Sequence, residues 1–458
     1  MPPSENKRRE HFDVRGTVQG VGFRPFVFSL AQRLGLCGFV QNNPGGVTIE
    51  VEGSPDRLAR FAAALVAEAP PLAQVQSVDV TPIGCVGERD FSIYASEISA
   101  HADALIAPDV ATCDACLAET ANPTDRRWRY PFTNCTNCGP RYTIVVGVPY
   151  DRARTTMRRF TMCEDCAREY HDPADRRFHA QPNACPRCGP TVWLVDRQQG
   201  ESADAYDQAC EPMGERAVEA FHHAIAAGQI VAVKGIGGFH LACAADNAQA
   251  VATLRARKGR FEKPLAVMVA DAEAARRFAH VDDFEQQLLE SPARPIVLLR
   301  SRADCRWARD AAPGCGWLGL MLPYSPLHVM LVECGPLVIT SGNLSEEPIA
   351  ATNDDARKRL APLADALLLH DRDIHAVCDD SVVRAVDGRA LLLRRSRGFV
   401  PAPLDLGRPV RSVLAVGGDL KAALCLTKGR HAIMSQHLGD MGNWLTLDAA
   451  RRAADNLL

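Results

Sequence analysis

Cys113-Asp114-Ala115-Cys116 and, after 18 further residues, Cys135-Thr136-Asn137-Cys138 set the organisation of this 458-residue chain. The pattern returns as Cys163-Glu164-Asp165-Cys166 and Cys185-Pro186-Arg187-Cys188, with every cysteine displaced by 50 residues. Two CxxC pairs at this separation are typical of a site where four thiolates bind one Zn²⁺. Because four protein ligands leave no open coordination position, we expect two structural zinc sites and no catalysis at either.

The sequence around the cysteines repeats as well, which indicates a duplicated module over residues 105–200. Residues 122–127 (NPTDRR) correspond to residues 172–177 (DPADRR). A single CxxC pair could be a redox dithiol, but matched pairs in duplicate favour a metal. Zinc modules often bind nucleic acid, yet acidic residues are interspersed among the arginines here. We therefore expect a scaffold between two domains, with metal supplying its folding energy.

Length and composition predict a multidomain protein of the cytoplasm. A chain of 458 residues suggests about three domains, and 47% hydrophobic and 23% charged residues are ordinary for a globular protein. A net charge of -3 gives the chain no overall positive charge that would indicate a nucleic-acid partner, so RNA and DNA are not expected partners. The first ten residues hold no signal-peptide core, and no apolar run is long enough for a membrane span. The cysteines outside the module are scattered singly, as in a reducing compartment.

Residues 10–97 predict a small α+β domain. Strands are expected at residues 12–18, 37–41, 47–51, 75–80 and 91–94, with helices at 25–34 and 58–66. The first four strands and the two helices follow the βαββαβ order of the ferredoxin-like split motif, and the strand at 91–94 comes after them. The stretch Gly16–Arg24 leaves a strand and enters a helix, so its glycines let backbone N–H groups converge on an anion. An ordinary glycine-rich turn is the alternative. The predicted phosphate cradle consists of Gln19, Gly20, Val21, Gly22 and Phe23.

This stretch also resembles the signature of the acylphosphatase family. The resemblance rests on Gly-x-Val-Gln-Gly-Val-x-Phe-Arg at residues 16–24 and on Gly-Phe-Val-Gln-Asn at residues 38–42. In that family the arginine binds the phosphoryl group and the asparagine orients the attacking water. The resemblance therefore implies catalytic roles for Arg24 and Asn42. An acyl phosphate is already activated, so positioning and charge stabilisation can suffice.

Residues 208–402 predict an α/β domain with polar groups at strand ends. The basic residues Lys258, Arg260 and Lys263 follow a predicted helix, and Ser341 and Asn343 follow a predicted strand. These groups could bind a polyphosphate. The alternative is a solvated basic helix end, which the helix dipole favours.

The same motifs resemble the YrdC family, which forms carbamoyl adenylates from ATP. The resemblance rests on Lys-Gly-Arg-x2-Lys-Pro-Leu at residues 258–265, on Ser-x-Asn at 341–343 and on two later elements at 379–384 and 394–398. The first element is one residue shorter than in stand-alone members. The resemblance implies a substrate pocket near His240 and ATP, with Mg²⁺, as a ligand. The implied ATP-binding residues are Lys258, Arg260, Lys263, Ser341, Asn343 and Arg395.

Residues 411–458 resemble the start of an actin/sugar-kinase-like transferase domain, and they are too few for that whole fold. We expect a fragment or a truncated domain. The order of the four parts resembles the HypF family of hydrogenase-maturation carbamoyltransferases. This implies hydrolysis of carbamoyl phosphate to carbamate, formation of carbamoyl adenylate, and transfer to the C-terminal cysteine of HypE, with the last step expected to be lost here.

Two alternatives remain. The first is a YrdC-type RNA-binding or tRNA-modifying protein with zinc ribbons, which would bind RNA in a salt-sensitive way. The second is a simple acylphosphatase with inert appendages, which would form no AMP.

Overall fold

The computed structural model describes residues 7–97, 105–196, 213–344 and 347–457. The outer ends of two predicted domains, residues 197–200 and 208–212, lie outside these ranges, as do residues 1–6 and 458. The chain divides into two compact units, residues 1–107 with 134–184 and residues 108–133 with 185–458. None of the described helices is both long and apolar enough to cross a membrane.

The N-terminal part of the first unit has the predicted ferredoxin-like order. Its elements are β1 (Arg8–Thr17), α1 (Phe23–Arg33), β2 (Cys37–Asn43), β3 (Gly46–Gly53), α2 (Pro55–Ala67), β4 (Gln74–Ile83) and β5 (Phe91–Ile93). The strands form one sheet in the order β4-β1-β3-β2-β5. Alternate residues of a strand share a face, so Phe12 and Val14 of β1 are both buried in the core with the two helices. Phe12 packs edge-to-face on Phe61 of α2 at a centroid distance of 5.5 Å.

The cysteine module repeats at the level of the backbone. Its helices α3 (Asp114–Ala121) and α4 (Glu164–His171) each begin one residue after a cysteine of the pattern. In both copies an aspartate accepts a hydrogen bond from the backbone N–H two residues later, at 2.7 Å from Arg127 and 2.7 Å from Arg177. Arg129 and His179 then adopt left-handed backbone angles, with φ of 51° and 54°.

The second unit is built on a mixed sheet of eleven strands. The path runs β16-β15-β11-β12-β9-β13-β8-β7-β14-β6, and β10 pairs with β11. The elements are β6 (Val192–Asp196), α5 (Glu215–Ala226), β7 (Val231–Lys234), β8 (Phe239–Ala244), α6 (Ala248–Lys258), β9 (Ala266–Met268), α7 (Ala272–Phe278), β10 (Ala279–His280), α8 (Asp283–Glu290), β11 (Ile296–Ser301), α9 (Ala308–Ala311), β12 (Trp317–Met321), α10 (Pro326–Leu331), β13 (Leu337–Ser341), α11 (Asn353–Arg359), β14 (Ala366–His370), β15 (Val382–Val386) and β16 (Arg389–Arg394).

Strand β6 follows the last cysteine of the second copy. It pairs antiparallel with β14, with Leu194 opposite Leu368. Buried Val192, Leu194 and Val195 explain this position, since they cover apolar surface of the large sheet.

The C-terminal part of the second unit forms a separate sheet. Its elements are β17 (Leu404–Asp405), β18 (Val413–Val416), β19 (Leu424–Lys428), β20 (His431–Met434) and α12 (Trp444–Leu457). The strand order is β17-β20-β19-β18. Leu424 of β19 packs with Ala450 and Ala453 of the helix.

Candidate active sites

A glycine turn at the start of α1 forms the base of the first site. Gly20 and Gly22 have φ of 73° and 77°, a left-handed conformation that glycine adopts without strain. The chain thereby turns from the end of β1 into α1. The first N–H groups of a helix have no intrahelical acceptor and carry partial positive charge, so this end of α1 suits an anion.

Arg24 and Asn42 lie in direct contact at this turn. Both are buried, with 8% and 1% of their surfaces exposed. The Asn42 amide oxygen, oriented to accept, lies 3.2 Å from both Nη2 and Nε of Arg24. Arg24 Nη2 also donates to Asp151 Oδ1 at 2.9 Å and to the Tyr150 carbonyl at 3.2 Å. Ser96 Oγ accepts from Nη1 at 3.3 Å. An acceptor-rich setting thus holds the guanidinium in one orientation.

Gln19 has a structural part in this site. Its buried Nε2 donates to the carbonyls of Asn43 and Gly46 at 2.9 and 2.8 Å. Its Oε1 accepts from the Tyr150 N–H at 2.9 Å. The side chain therefore ties the end of β1 to the β2–β3 turn and to the segment that carries Asp151.

One side of the cavity over the turn is lined by residues that lie outside the sequence motifs. Besides Gln19, Gly20, Gly22, Phe23, Arg24 and Asn42, the cavity is lined by Thr136, Arg141, Tyr150, His179 and Gln181. Arg141 fixes this side by donating from Nε to the Gly20 carbonyl. These residues lie more than 90 positions along the chain from Asn42, in irregular segments without periodicity, so no local pattern could have indicated them.

The second site lies where β8 and β13 pair, with His240 opposite Ser341. Paired residues of neighbouring strands share a sheet face. The Lys258 ammonium, at the end of α6, donates to the Asn343 carbonyl and Oδ1, each at 2.7 Å, and to the Ser341 carbonyl. Arg260 Nη1 donates to Thr340 Oγ1 at 3.2 Å. Four of the predicted ATP-binding residues, Lys258, Arg260, Ser341 and Asn343, therefore lie together.

Burial shapes the charge of this cluster. It lowers the pKa of Lys258 to about 7, with the nearby Arg260 adding to the effect. The pKa of Arg260 is also lowered, first by burial and then by Arg394. The negative charge of a polyphosphate bound here would raise the pKa values of Lys258 and Arg260. It would therefore favour the charged forms of both side chains.

The two remaining predicted ATP-binding residues have other contacts. Lys263 is exposed, and its carbonyl accepts from Arg255 Nη1 at 3.0 Å. Arg395 Nη2 donates to the Ala402 carbonyl at 2.7 Å. No site role was predicted for Arg255, which also donates to the carbonyls of Arg260 and Asp310 and so shapes the loop after α6.

His240 lies beside the buried ion pair of Asp380 and Arg397. Its Nε2 lies 3.1 Å from Asp380 Oδ2, and Arg397 Nε donates to Asp380 Oδ1 at 2.7 Å. Burial alone would raise the pKa of Asp380, but Arg397 and the hydrogen bond with His240 outweigh it, so this pKa lies well below its usual value. Asp380 thereby holds the imidazole with its Nδ1 buried, and this nitrogen has no hydrogen-bond partner in the described part of the chain.

The eight module cysteines form two clusters. Cys113, Cys116, Cys135 and Cys138 have their Sγ atoms within 4.8 Å of one another, and so do Cys163, Cys166, Cys185 and Cys188. Tetrahedral zinc with Zn–S bonds of about 2.3 Å requires S···S separations of about 3.8 Å. The Cys135–Cys138 and Cys185–Cys188 separations are each 3.8 Å. Both predicted ligand sets thus fit zinc, and a closed thiolate site of this kind supplies structural stability.

Sequence profiles of four families match the chain. They are Acylphosphatase over residues 10–93, HypF finger over 112–145 and 162–195, Telomere recombination (the Sua5/YciO/YrdC group) over 223–396, and HypF Kae1-like domain over 408–458. The carbamoyltransferase HypF2 of Cupriavidus necator is 46% identical over a 482-residue alignment that covers all of this chain. The chain belongs to the HypF family. It spans 58% of the length of that HypF2 relative.

Two further relatives agree with this assignment. A crystal structure of full-length HypF in a phosphate- and nucleotide-bound form is 42% identical, with a TM-score of 0.93, and covers 100% of this chain and 59% of that one. An acylphosphatase of Dehalococcoides mccartyi is 49% identical over 70 residues, which are 15% of this chain and 76% of that enzyme. The HypF family thus accounts for the order of all four parts, and the multidomain fold class is confirmed.

Proposed function

We propose that the chain hydrolyses carbamoyl phosphate at the Arg24 site. The observation that carries this proposal is the contact between Arg24 and Asn42 over a glycine turn at a helix N-terminus. The likeness to acylphosphatase and to carbamoyltransferase HypF2 supports the same substrate class. Water would attack phosphorus, the P–O bond to the carbamoyl group would break, and carbamate and inorganic phosphate would leave.

The residues divide this work between them. Arg24 and the first N–H groups of α1 would bind the phosphoryl oxygens, where negative charge accumulates during attack. Asn42, held against Arg24, would orient the water by its amide. No covalent nucleophile is needed, because the acyl phosphate carries a good leaving group.

We propose a second reaction at the Lys258 site. Carbamate would attack the α-phosphate of ATP, which enters with Mg²⁺, giving carbamoyl adenylate and pyrophosphate. Lys258, Arg260, Ser341 and Asn343 would bind the phosphates, and His240 would face carbamate. A HypF structure in a phosphate- and nucleotide-bound form is consistent with two anion sites in this family.

In the wider HypF reaction the carbamoyl group would pass to the C-terminal cysteine of HypE during hydrogenase maturation. We propose HypE as the protein partner on family membership alone. A cytoplasmic setting suits this proposal, because eight zinc-binding cysteines must stay reduced.

The first reaction is tested by measuring phosphate release from carbamoyl phosphate. Arg24→Ala should lower kcat/KM by about 100- to 1000-fold, the effect of removing a principal charge-stabilising donor. Arg33→Ala is the matched control, since Arg33 lies exposed on the same helix and pairs with Glu68. Undiminished hydrolysis by Arg24→Ala, with zinc content intact, would refute the assignment.

The second reaction is tested by carbamoyl-phosphate-dependent exchange between ATP and pyrophosphate, together with AMP formation. A Lys258→Ala, Ser341→Ala double variant should lose exchange and keep carbamoyl phosphate hydrolysis. Arg276→Ala, on α7 and away from the cluster, serves as the control. Exchange at the wild-type rate in the double variant would rule out this site.

A further inference from the structure

His179 lines the cavity over Arg24, and its ring is half-buried. Its Nδ1 is buried and has no hydrogen-bond partner among the residues that the structure describes. A buried ring nitrogen without a partner is costly, because it has lost its hydrogen bonds to water. Such a group in a ligand cavity indicates that the ligand supplies the missing hydrogen bond.

Backbone hydrogen bonds and two aromatic neighbours hold His179 in position. The His179 N–H donates to the Tyr170 carbonyl at 3.0 Å, and the His179 carbonyl accepts from Gln181 Nε2 at 2.9 Å. Gln181 Oε1 in turn accepts from the Arg152 N–H at 2.7 Å. The imidazole packs against Tyr170 and Phe178 at centroid distances of 4.9 and 4.7 Å. The ring therefore presents its nitrogens in one orientation.

The imidazole is neutral at physiological pH. Burial, and after it the positive charge of Arg24, lower its pKa to about 4. A neutral imidazole offers one N–H donor and one acceptor nitrogen. It can therefore both give and receive a hydrogen bond, and it adds no charge to the phosphoryl site.

We propose that His179 is a specificity-determining residue that hydrogen-bonds the carbamoyl group of the acyl phosphate held at Arg24. This inference rests on the proposed hydrolysis. A carbamoyl group carries an NH₂ donor, which can bond to the acceptor nitrogen of the neutral ring. An acetyl group has a methyl in place of the NH₂ and would leave that nitrogen unsatisfied. A site built to hydrogen-bond a substrate group discriminates strongly against analogues without it.

The alternative is that His179 only fills space between two aromatic rings. In that case an aromatic ring of similar size should serve both substrates equally. The left-handed backbone of His179 does not distinguish a specificity role from a space-filling role. Arg129 has a similar φ at the matching position of the other copy.

The experiment compares kcat/KM for carbamoyl phosphate and acetyl phosphate in the wild type, His179→Phe and His179→Asn. His179→Phe keeps a ring and should lose about 10-fold of the carbamoyl preference, the value of one hydrogen bond to a polar partner, with acetyl phosphate hydrolysis little changed. His179→Asn keeps an acceptor, tolerates the left-handed backbone and should retain part of the preference. Zinc content and binding of inorganic phosphate check that each variant is folded.

The possible outcomes separate the two proposals. An unchanged ratio in His179→Phe, or an equal loss for both substrates, overturns the role of His179 while hydrolysis at Arg24 stands. A wild-type enzyme without preference for carbamoyl phosphate over acetyl phosphate overturns it as well. A wild-type chain that hydrolyses neither substrate overturns the proposed function and this inference together.

Discussion

The two copies of the cysteine module share a backbone and differ in what one side chain does. At the left-handed position of the first copy, Arg129 forms two hydrogen bonds with the Glu333 carboxylate, at 3.1 and 3.0 Å. At the matching position of the second copy, the His179 side chain lines a cavity beside Arg24, and its Nδ1 has no hydrogen-bond partner among the described residues. In both, the backbone N–H donates to the carbonyl 9 residues earlier, in Thr120 or Tyr170. Duplication thus fixed the main chain, and the side chain at one position then diverged.

The largest effect on stability is expected from removing a metal ligand. Comparing one such variant in each copy tests whether the two copies depend equally on zinc. Cys135→Ser and Cys185→Ser should each reduce bound zinc from two ions per chain to about one. Both should destabilise the protein by several kcal/mol, because structural zinc supplies about 10–16 kcal/mol of binding free energy to small modules. Metal analysis and urea unfolding give the answer.

Cys315→Ser is the matched control, since Cys315 is an exposed cysteine outside both clusters. It should leave zinc content and the unfolding midpoint unchanged. Two zinc ions retained in Cys135→Ser or Cys185→Ser would contradict the assigned ligand sets.

The second copy should also show an acid sensitivity that the first lacks. The folded-state pKa of His179 is about 4, below its ordinary value of 6.5, so the unfolded chain takes up a proton first as the pH falls. The contribution of neutral His179 to stability is complete above about pH 6.5 and is lost as the pH falls toward 4. His179→Phe should therefore lose less stability than the wild type between pH 7 and 4.5 in urea titrations. The exposed His223→Ala serves as control, and equal losses in wild type and His179→Phe would contradict the prediction.

A smaller effect is expected from Asp151, whose carboxylate competes with phosphate for Arg24. Asp151→Asn removes a negative charge 2.9 Å from the guanidinium and should tighten binding of inorganic phosphate by about 5-fold, the equivalent of about 1 kcal/mol. Calorimetric titration with phosphate measures it. Asp165→Asn, an exposed carboxylate paired with Arg168, is the control. Weaker binding in Asp151→Asn would mean that Asp151 positions Arg24 and does not compete with the ligand.

The smallest effect should come from the first copy. Arg129→Ala removes ion pairs with two partly exposed carboxylates, Glu215 and Glu333, and should cost about 1 kcal/mol in the free energy of unfolding. Carbamoyl phosphate selectivity should not change, in contrast to His179→Phe. A selectivity change in Arg129→Ala would break the distinction between the two copies.

Local patterns allowed much of the molecule to be predicted from sequence. Alternation and helical spacing gave the βαββαβ order, and the cysteine spacing gave both ligand sets. The contact between Arg24 and Asn42 also follows, because each lies in a short motif of one small fold.

The rest depends on contacts that no periodicity encodes. Asp151 and His179 reach Arg24 from irregular segments more than 100 residues away, and Arg255 acts through backbone carbonyls, which carry no sequence signature. Lys263 was predicted from a motif and is exposed, because a position in a motif does not by itself determine where a side chain lies.

Gln19 has a practical consequence for anyone who dissects this protein. Its Oε1 accepts from Tyr150, so the strand that ends at the phosphate turn is anchored to a residue far beyond residue 97. Expressing residues 7–97 alone would keep the ferredoxin-like core and remove this anchor, together with Asp151 and His179. We expect such an excised domain to fold as an acylphosphatase of relaxed selectivity. Kinetic constants measured on the excised domain would describe an enzyme that accepts several acyl phosphates. Selectivity for carbamoyl phosphate would have to be measured on the longer chain.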